Sequence, residues 1–255
     1  NQIGATATTN ASGYYEFTSL CPDEYYDIVA SSSHSTSGSV NTTDAAQVNY
    51  WWTHIYSIEK VRFFAGDVTG GTVQINATDA QRIQKNFVYG TAFDRDPWMF
   101  WNAGETTTQN PPSGSFAKVN LPVGSDATAD MYGLCTGDFN RSFNPAITKS
   151  ASSTVKLDYG TSLKEGKNRE FGLPVRILNT AGITAVSLIF NFPADLVEVR
   201  DVLMNSSEGR LDWTVNGNEL RIGWNSSVPV AFASFDKLIT LQLKTTAAFE
   251  NGAML

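Results

Sequence analysis

The chain has 255 residues, of which 42% are hydrophobic and 17% charged, and its net charge at pH 7 is −7. This composition can bury one large core or several small ones and excludes a fully disordered chain. The negative charge argues against a nucleic-acid-binding protein, which needs a basic face, and no apolar run reaches the roughly 18 residues of a membrane span.

Residues 1–31 predict a β-hairpin. The runs "GYYEFTSL" and "YYDIVA" alternate in the manner of strands on either side of the turn "CPDE". Two strands alone cannot bury a core. We therefore expect residues 1–31 either to pack on something else or to be the end of a domain, and the chain to be a piece of a longer protein.

Residues 32–149 predict a small α module with an irregular extension. "TTDAAQVNYWWTHI" and "TDAQRIQKNFV" have apolar residues near helical spacing, and Gly90 follows the second run. The Gly-rich turn "GDVTGGTVQ" lies between them. Pro-rich turns then mark a long irregular stretch that ends at "CTGDFNRSFNP".

Residues 150–255 predict an all-β domain. The short β-rich runs are "TVKLDYG", "FGLPVRIL", "AVSLIFNF", "LVEVRDVL", "ELRIGW" and "KLITLQL". Turn residues separate them at the spacing of a sandwich. The fold class is therefore mainly β with a small α module.

A polar phrase occurs twice, at the start of each predicted helix. "VNTTDAAQV" begins at Val40, and "INATDAQRI" begins at Ile75, 35 positions later. Asn and Asp at these positions are typical of helix N-caps and first turns. The same residues are also typical of calcium loops, in which oxygen ligands alternate before a helix.

The second copy matches the back of an EF-hand-type loop. Asp67 and Thr69 stand at ligand positions 1 and 3, and Asn76 and Asp79 at positions 9 and 12. The loop is longer by one residue than that pattern, and Gly71 has no side-chain oxygen. This copy fits calcium binding and simple helix capping equally well.

The first copy has only the back half of such a loop, Asn41 and Asp44. A separate front half stands in "GDFNRSF", where Asp138, Asn140 and Ser142 have the spacing of positions 1, 3 and 5. We hypothesise that this segment folds back and completes the first calcium site. The alternative for Asp138 is an Asx-turn, which is common in such loops.

The two cysteines, Cys21 and Cys135, lie far apart in the sequence. They form either two buried thiols or one disulfide, and the Ser/Thr-rich, charge-poor composition favours a secreted protein that permits the disulfide. A Cys21–Cys135 bridge would bring the Asp138 segment towards the first loop.

These motifs resemble known extracellular modules. The phrase "VNTTDAAQV … GDVTGGTVQINATDAQRI" resembles the paired calcium-loop helices of type I dockerin modules, more narrowly the divergent ones of large secreted Bacteroidetes-type proteins. "TNASGYYEFTSLCPDEYYDIV" is similar to the last hairpin of a B-type or carboxypeptidase-regulatory-like domain. "FGLPVRILNTAGITAVSLIFNFPADLVEVRDV" and "LRIGWNSS" resemble a cohesin-type jelly-roll sandwich.

These resemblances imply an extracellular, calcium-binding protein whose partners are other protein modules. No catalytic motif stands out: the only histidines are His34 and His54, and no nucleophile or zinc motif is present. We therefore expect no active site in this chain.

Three functions remain open. We favour a calcium-stabilised structural or adhesive module of a cell-surface protein. The alternatives are a dockerin–cohesin scaffold component in polysaccharide degradation, with a recognition face near Gln47, Arg82 and Lys85, and a carbohydrate-binding accessory module with exposed Trp residues.

Overall fold

A β-sandwich and a helical unit form most of the computed structural model, which describes residues 4–114, 116–144, 155–160 and 164–250. Its helices are α1 (Thr42–Thr53), α2 (Lys60–Gly66) and α3 (Ala77–Tyr89). Its strands are β1 (Glu24–Ile28), β2 (Ile58–Glu59), β3 (Trp98–Asn102), β4 (Thr106–Thr107), β5 (Ala117–Leu121), β6 (Met131–Cys135), β7 (Leu157–Asp158), β8 (Glu170–Ile177), β9 (Ala181–Asn191), β10 (Val197–Met204), β11 (Arg210–Asn216), β12 (Glu219–Phe232) and β13 (Lys237–Thr245). The chain is mainly β with few helices, as predicted.

The sandwich consists of a four-stranded sheet, in the order β10-β13-β8-β7, and a three-stranded sheet, in the order β11-β12-β9. Both sheets contribute to one apolar core. Every second residue of β12 faces this core, where Leu220, Ile222 and Trp224 are buried. The residues between them, such as Gly223, therefore belong to the opposite face of the sheet.

The helical unit consists of α1, α2, α3 and the segment around Phe139, which share a second core. Trp51, Phe63, Ile83 and Phe139 in this core have no exposed surface. Helices α1 and α3 confirm the two predicted helices. Gly90 ends α3 with a φ of 70°, a left-handed conformation that glycine adopts without steric cost.

Helix α2 was not predicted from the sequence. Its seven residues, "KVRFFAG", have no side-chain cap at the N-terminus, so local signals for a helix are weak. Phe63 instead packs edge-to-face against Trp51, and Val61 is buried as well. Tertiary packing therefore stabilises this helix, because so short a helix is marginal in isolation.

The predicted N-terminal hairpin is wrong in one of its strands. "GYYEFTSL" does not form a strand, while "YYDIVA" contributes to β1. Strand β1 pairs antiparallel with β5, from Glu24 opposite Leu121 to Ile28 opposite Ala117. Residues 1–31 are thus joined to the middle of the chain by a non-local pairing, which periodicity within residues 1–31 cannot reveal.

The stretch expected to be irregular also contains short antiparallel pairs. Strand β3 pairs with β6, from Trp98 opposite Cys135 to Asn102 opposite Met131. This pairing places the residues after Cys135 beside the helical unit, where the Gly137 N–H donates to the Ala65 carbonyl at 2.7 Å.

We expect Phe139→Ala to destabilise the helical unit by about 3–5 kcal/mol, the usual cost of removing a fully buried phenylalanine. The Phe139 ring has no exposed surface, and the Arg62 guanidinium lies 4.3 Å from its centroid. Urea unfolding monitored by tryptophan fluorescence would measure the loss. The matched control is Phe116→Ala, because Phe116 is 50% exposed; equal losses for both variants would contradict the assignment.

Candidate functional site

Asp79 joins the start of α3 to the loop that precedes it. Its Oδ2 accepts from the Asn76 N–H at 2.9 Å. Its Oδ1 accepts from the N–H groups of Val68 and Thr69, each at 3.1 Å, and from the Thr69 hydroxyl at 2.9 Å. The structure therefore brings together three of the predicted ligands of the second loop, residues 67–79, around one buried carboxylate.

Asn76 is the N-cap of α3, which was one of the two roles that the sequence allowed for it. Its side-chain oxygen accepts from the Thr78 N–H at 2.7 Å, and Asp79 completes a capping box with the Asn76 backbone. A capping box satisfies donors that the first turn of a helix leaves without partners. The Asn76 side chain is thus occupied by the helix start.

Asp67 is fully buried in the second loop and pairs with an arginine from outside the loop. Its Oδ2 accepts from Nη2 of Arg95, while its Oδ1 has no hydrogen-bond partner. Burial raises the pKa of Asp67 to about 7; the positive charge of Arg95 opposes this increase and the nearby Asp79 adds to it. Arg95 also donates from Nε to the Thr69 carbonyl at 3.1 Å.

The first loop repeats the same pattern with a remote segment. Asp44, in the first turn of α1, accepts from the Asn41 N–H through Oδ2 at 2.9 Å and from the Asn140 N–H through Oδ1 at 2.9 Å. Asn140 is the second residue after Asp138, just as Thr69 is the second residue after Asp67. The residues around Asp138 thus lie beside α1, in the arrangement that the fold-back hypothesis requires.

The Asp138 segment also has the internal hydrogen bonds of an Asx-type turn. Asp138 accepts from the N–H groups of Ser142 at 3.0 Å and Phe143 at 3.2 Å, and the Asn140 side chain accepts from Ser142 N–H at 2.7 Å. Asp44 and Asp138 are both almost fully buried. The segment therefore forms the Asx-type turn, and it also carries the oxygen groups that the calcium hypothesis requires.

The two loops differ in how well they fit a calcium ion. The first loop brings Asp44 into contact with the segment that carries Asp138, Asn140 and Ser142, and such side chains have hard oxygen ligands of the type that calcium prefers. Asn41 caps α1 through its side-chain oxygen, as Asn76 caps α3. In the second loop a guanidinium already contacts Asp67 and the Thr69 carbonyl, and Asp79 accepts four hydrogen bonds. Among the described residues, no group of three or more His, Cys, Asp or Glu side chains forms a metal cluster.

The two cysteines are not joined in the structure. Cys21 is exposed in the turn before β1, whereas Cys135 is buried at the end of β6. The predicted Cys21–Cys135 disulfide is therefore not what holds the Asp138 segment in place. Phe139 does this instead, because its ring fills the core of the helical unit and its carbonyl accepts from Arg62 Nε at 2.6 Å.

The helical unit also packs on the sandwich. Helices α1 and α3 lie on the outer face of the sheet β11-β12-β9, opposite the sandwich core. From α1, the Thr42 N–H donates to Ser187 Oγ at 3.0 Å, and its hydroxyl donates to the Val186 carbonyl at 2.7 Å. A Cβ on Gly223 would lie only 2.7 Å from methyl carbons of both Thr42 and Val88, so the backbones approach closely.

Gln84 is the centre of this helix–sheet contact. It has no exposed surface, and its Nε2 donates to Asp212 Oδ2 at 2.7 Å and to the Gly223 carbonyl at 3.3 Å. Its Oε1 accepts from the Asn225 side chain. Burial tends to raise the pKa of Asp212, but hydrogen bonds from Arg210 and Gln84 prevail and lower it.

Sequence reasoning missed both Gln84 and Arg95. It placed a recognition face near Gln47, Arg82 and Lys85, but Gln47 accepts from Arg62 at 2.7 Å and Arg82 pairs with Asp94. The signal for Gln84 was a polar residue beside the buried Ile83 in an amphipathic helix. Arg95 carried no local signal, because its partners lie more than 25 positions away in the sequence.

Comparisons with known proteins return little. No protein-family model matches the chain, and no curated protein matches it. Among solved structures, it is similar to a non-cellulosomal cohesin from the hyperthermophilic archaeon Archaeoglobus fulgidus, with 24% identity and a TM-score of 0.27. The match covers 31% of this chain and 57% of the cohesin, so the chain spans little more than half of that protein's length.

The resemblances to dockerin and B-type modules stay predictions. For the described residues, no helix is both long and apolar enough to cross a membrane.

We expect Asp67→Asn to change how stability depends on pH. The Asp67 carboxyl keeps its proton to about pH 7 in the folded chain, against 3.8 for the ordinary group. Unfolding therefore releases a proton between these values, and stability falls as the pH rises through this window. The free energy of unfolding should fall by at most about 4 kcal/mol over this window, and the Asp67→Asn variant should not show this decrease.

Urea unfolding from pH 4 to pH 8 measures this effect. The control is Asp27→Asn, because Asp27 lies in an exposed ion pair with Lys118 outside the helical unit and its variant should keep the wild-type slope. Parallel profiles for Asp67→Asn and the wild type would contradict the prediction.

Proposed function

We propose that this chain is a non-catalytic structural module of a larger extracellular protein, acting through protein–protein contacts. The observation that carries this proposal is the docking of the helical unit on the outer face of the sheet β11-β12-β9. The contact is centred on Gln84, which is fully buried and hydrogen-bonded to four residues of the sheet, Arg210, Asp212, Gly223 and Asn225. A module of this kind transmits force or fixes geometry between its neighbours.

The chemistry of the contact supports a fixed arrangement. Polar groups buried at an interface must all find partners, and so they favour one register over others. Thr42, Gln84 and Arg221 each bond across the contact: Arg221 Nη1 donates to the Phe87 carbonyl at 3.2 Å, at the C-terminal half of α3. Both helices are thus anchored to the sheet, α1 at its start and α3 along its length.

The docking also bears on the alternative functions. In a scaffold pair, a helical module on one protein would bind a sandwich on another. Here the sheet-facing residues of α1 and α3 are used within the chain, which favours an internal structural role. Three of the six tryptophans, Trp51, Trp101 and Trp224, are at most 4% exposed and so favour a core role over sugar binding, whereas Trp52 is 38% exposed.

We further propose that calcium binds the first loop and stiffens the helical unit. The candidate ligands are Asp44, Asp138, Asn140 and Ser142, because the side-chain oxygen of Asn41 caps α1 as that of Asn76 caps α3. The ion would supply positive charge beside two buried carboxylates, and its binding free energy would add to folding. The Ser/Thr/Asn-rich composition, net charge of −7 and calcium-type loops support an extracellular location, with neighbouring protein modules as partners.

We expect Gly223→Val to uncouple the helical unit from the sandwich. Its side chain would collide with Thr42 and Val88 across the contact, at a cost of about 1–3 kcal/mol. Differential scanning calorimetry should show one transition for the wild type and two for the variant.

The matched control for this experiment is Gly182→Val, also in the sheet, where a Cβ has its nearest neighbour at 3.8 Å. Gln84→Ala tests the same contact from the helix side without altering a strand. A single unshifted transition for both Gly223→Val and Gln84→Ala would contradict the proposal.

We expect the purified chain to contain about one calcium ion and to lose thermal stability on chelation. Asp138→Asn should remove both the ion and the response to chelation, because it neutralises one of the two carboxylates of the first loop. Metal analysis combined with thermal melts in calcium and in EGTA measures this. An unchanged melting temperature and no bound metal would refute the calcium proposal while leaving the docking proposal intact.

A further inference from the structure

We propose that the guanidinium of Arg95 fills the cation position of the second loop, so that this loop carries its own positive charge and binds no calcium. The sequence pattern had assigned Asp67, Thr69, Asn76 and Asp79 to a calcium ion. The geometry assigns the loop a different cation, which comes from a residue 16 positions beyond Asp79.

Two alternating loop residues direct oxygens at this guanidinium. Asp67 accepts from Nη2 through Oδ2, and the Thr69 carbonyl accepts from Nε at 3.1 Å. Asp67 has no exposed surface, whereas the Arg95 side chain is 24% exposed. The arginine therefore enters from the surface and places its charged end against a buried carboxylate, as an arginine in a bidentate or forked contact does.

The remaining carboxylate of the loop has little capacity left for a metal ion. An ionised carboxylate offers about four lone-pair sites, and Asp79 accepts four hydrogen bonds, from Val68 N–H, Thr69 N–H, Thr69 hydroxyl and Asn76 N–H. Asn76 caps α3 with its side-chain oxygen. Asp79 and Asn76 thus accept from protein donors, the Thr69 hydroxyl donates to Asp79, and Asp67 faces Arg95.

The segment that carries Arg95 is fastened along the loop. The Asp94 N–H donates to the Val68 carbonyl at 3.2 Å, and a Cβ on Gly70 would lie 3.3 Å from the Asp94 Cβ. The Asp94 side chain pairs with Arg82 on α3. These contacts hold the residue before Arg95 beside the loop, so the place of Arg95 there is a built feature of the structure.

The inference holds whether or not the first loop binds calcium. It implies that the two loops, which share a phrase in the sequence, have diverged in their source of positive charge. The second loop stays folded without calcium, and only the first can make the module sensitive to it.

The test compares calcium binding and thermal melts at pH 8 for Arg95→Ala and for the wild type, with the full chain and with calcium chloride and EGTA as the two conditions. Both proteins also carry Asp138→Asn, which silences the first loop. We expect the reference protein to bind no calcium and to melt alike in both conditions. Arg95→Ala should melt at least about 5 °C lower in EGTA, and millimolar calcium should restore a substantial part of that loss with about one ion bound.

Two further variants keep the result decisive. Arg200→Ala removes an exposed ion pair on β10, in the sandwich and outside the second loop, and should leave the melts insensitive to calcium. Arg95→Lys retains a positive charge and should also remain insensitive, at a somewhat lower melting temperature.

The proposal is overturned if Arg95→Ala gains no calcium response, or if it fails to fold in either condition. It is also overturned if the reference protein binds calcium that Asp67→Asn then removes. If Asp138→Asn alone removes bound calcium from the wild type, that calcium was bound at the first loop. Failure of the calcium proposal for the first loop is therefore distinguishable from failure of the Arg95 proposal for the second.

Discussion

Two buried carboxylates, Asp44 and Asp79, each tie a helix start to a backbone segment from elsewhere. Each accepts from its own N-cap N–H through one oxygen and from a loop N–H through the other. Buried backbone N–H groups need partners, and a buried carboxylate needs donors. One interaction therefore satisfies a helix terminus, a loop and an acid together, and the helical unit is arranged around these two points.

The consequences extend outward from these points. Because Asp44 holds Asn140, the neighbouring Phe139 is positioned to fill the core between the helices, where Gly66 leaves room for it: a Cβ there would lie 2.6 Å from the ring. The helix pair is thereby fixed, and its outward side presents Thr42 and Gln84 to the sandwich. On the sandwich, strand β12 has Gly223 at the point of closest approach to the helices. The capping contacts thus fix the helix pair, and the fixed helix pair docks on the sandwich.

The two loops illustrate how similar local sequence can serve different electrostatics. Buried carboxylates in both loops require positive charge or several donors nearby. The second loop obtains a guanidinium from Arg95, whereas the first combines Asp44 with Asp138 and their backbone donors. A shared phrase therefore predicts the capping geometry at both places, but it does not predict which cation accompanies it.

The sequence by itself determined the elements whose signals are local. Capping residues and periodicity were sufficient for α1, α3 and six of the seven sandwich strands, β11 being the exception. Ligand-like spacing suggested the contact between the Asp138 segment and Asp44. Only the tertiary structure decided the pairing of β1 with β5, the helix α2, the partner of Asp67 and the docking through Gln84. These depend on residues far apart in the chain, and the energy of a buried polar group or a packed ring depends on neighbours that no local pattern identifies.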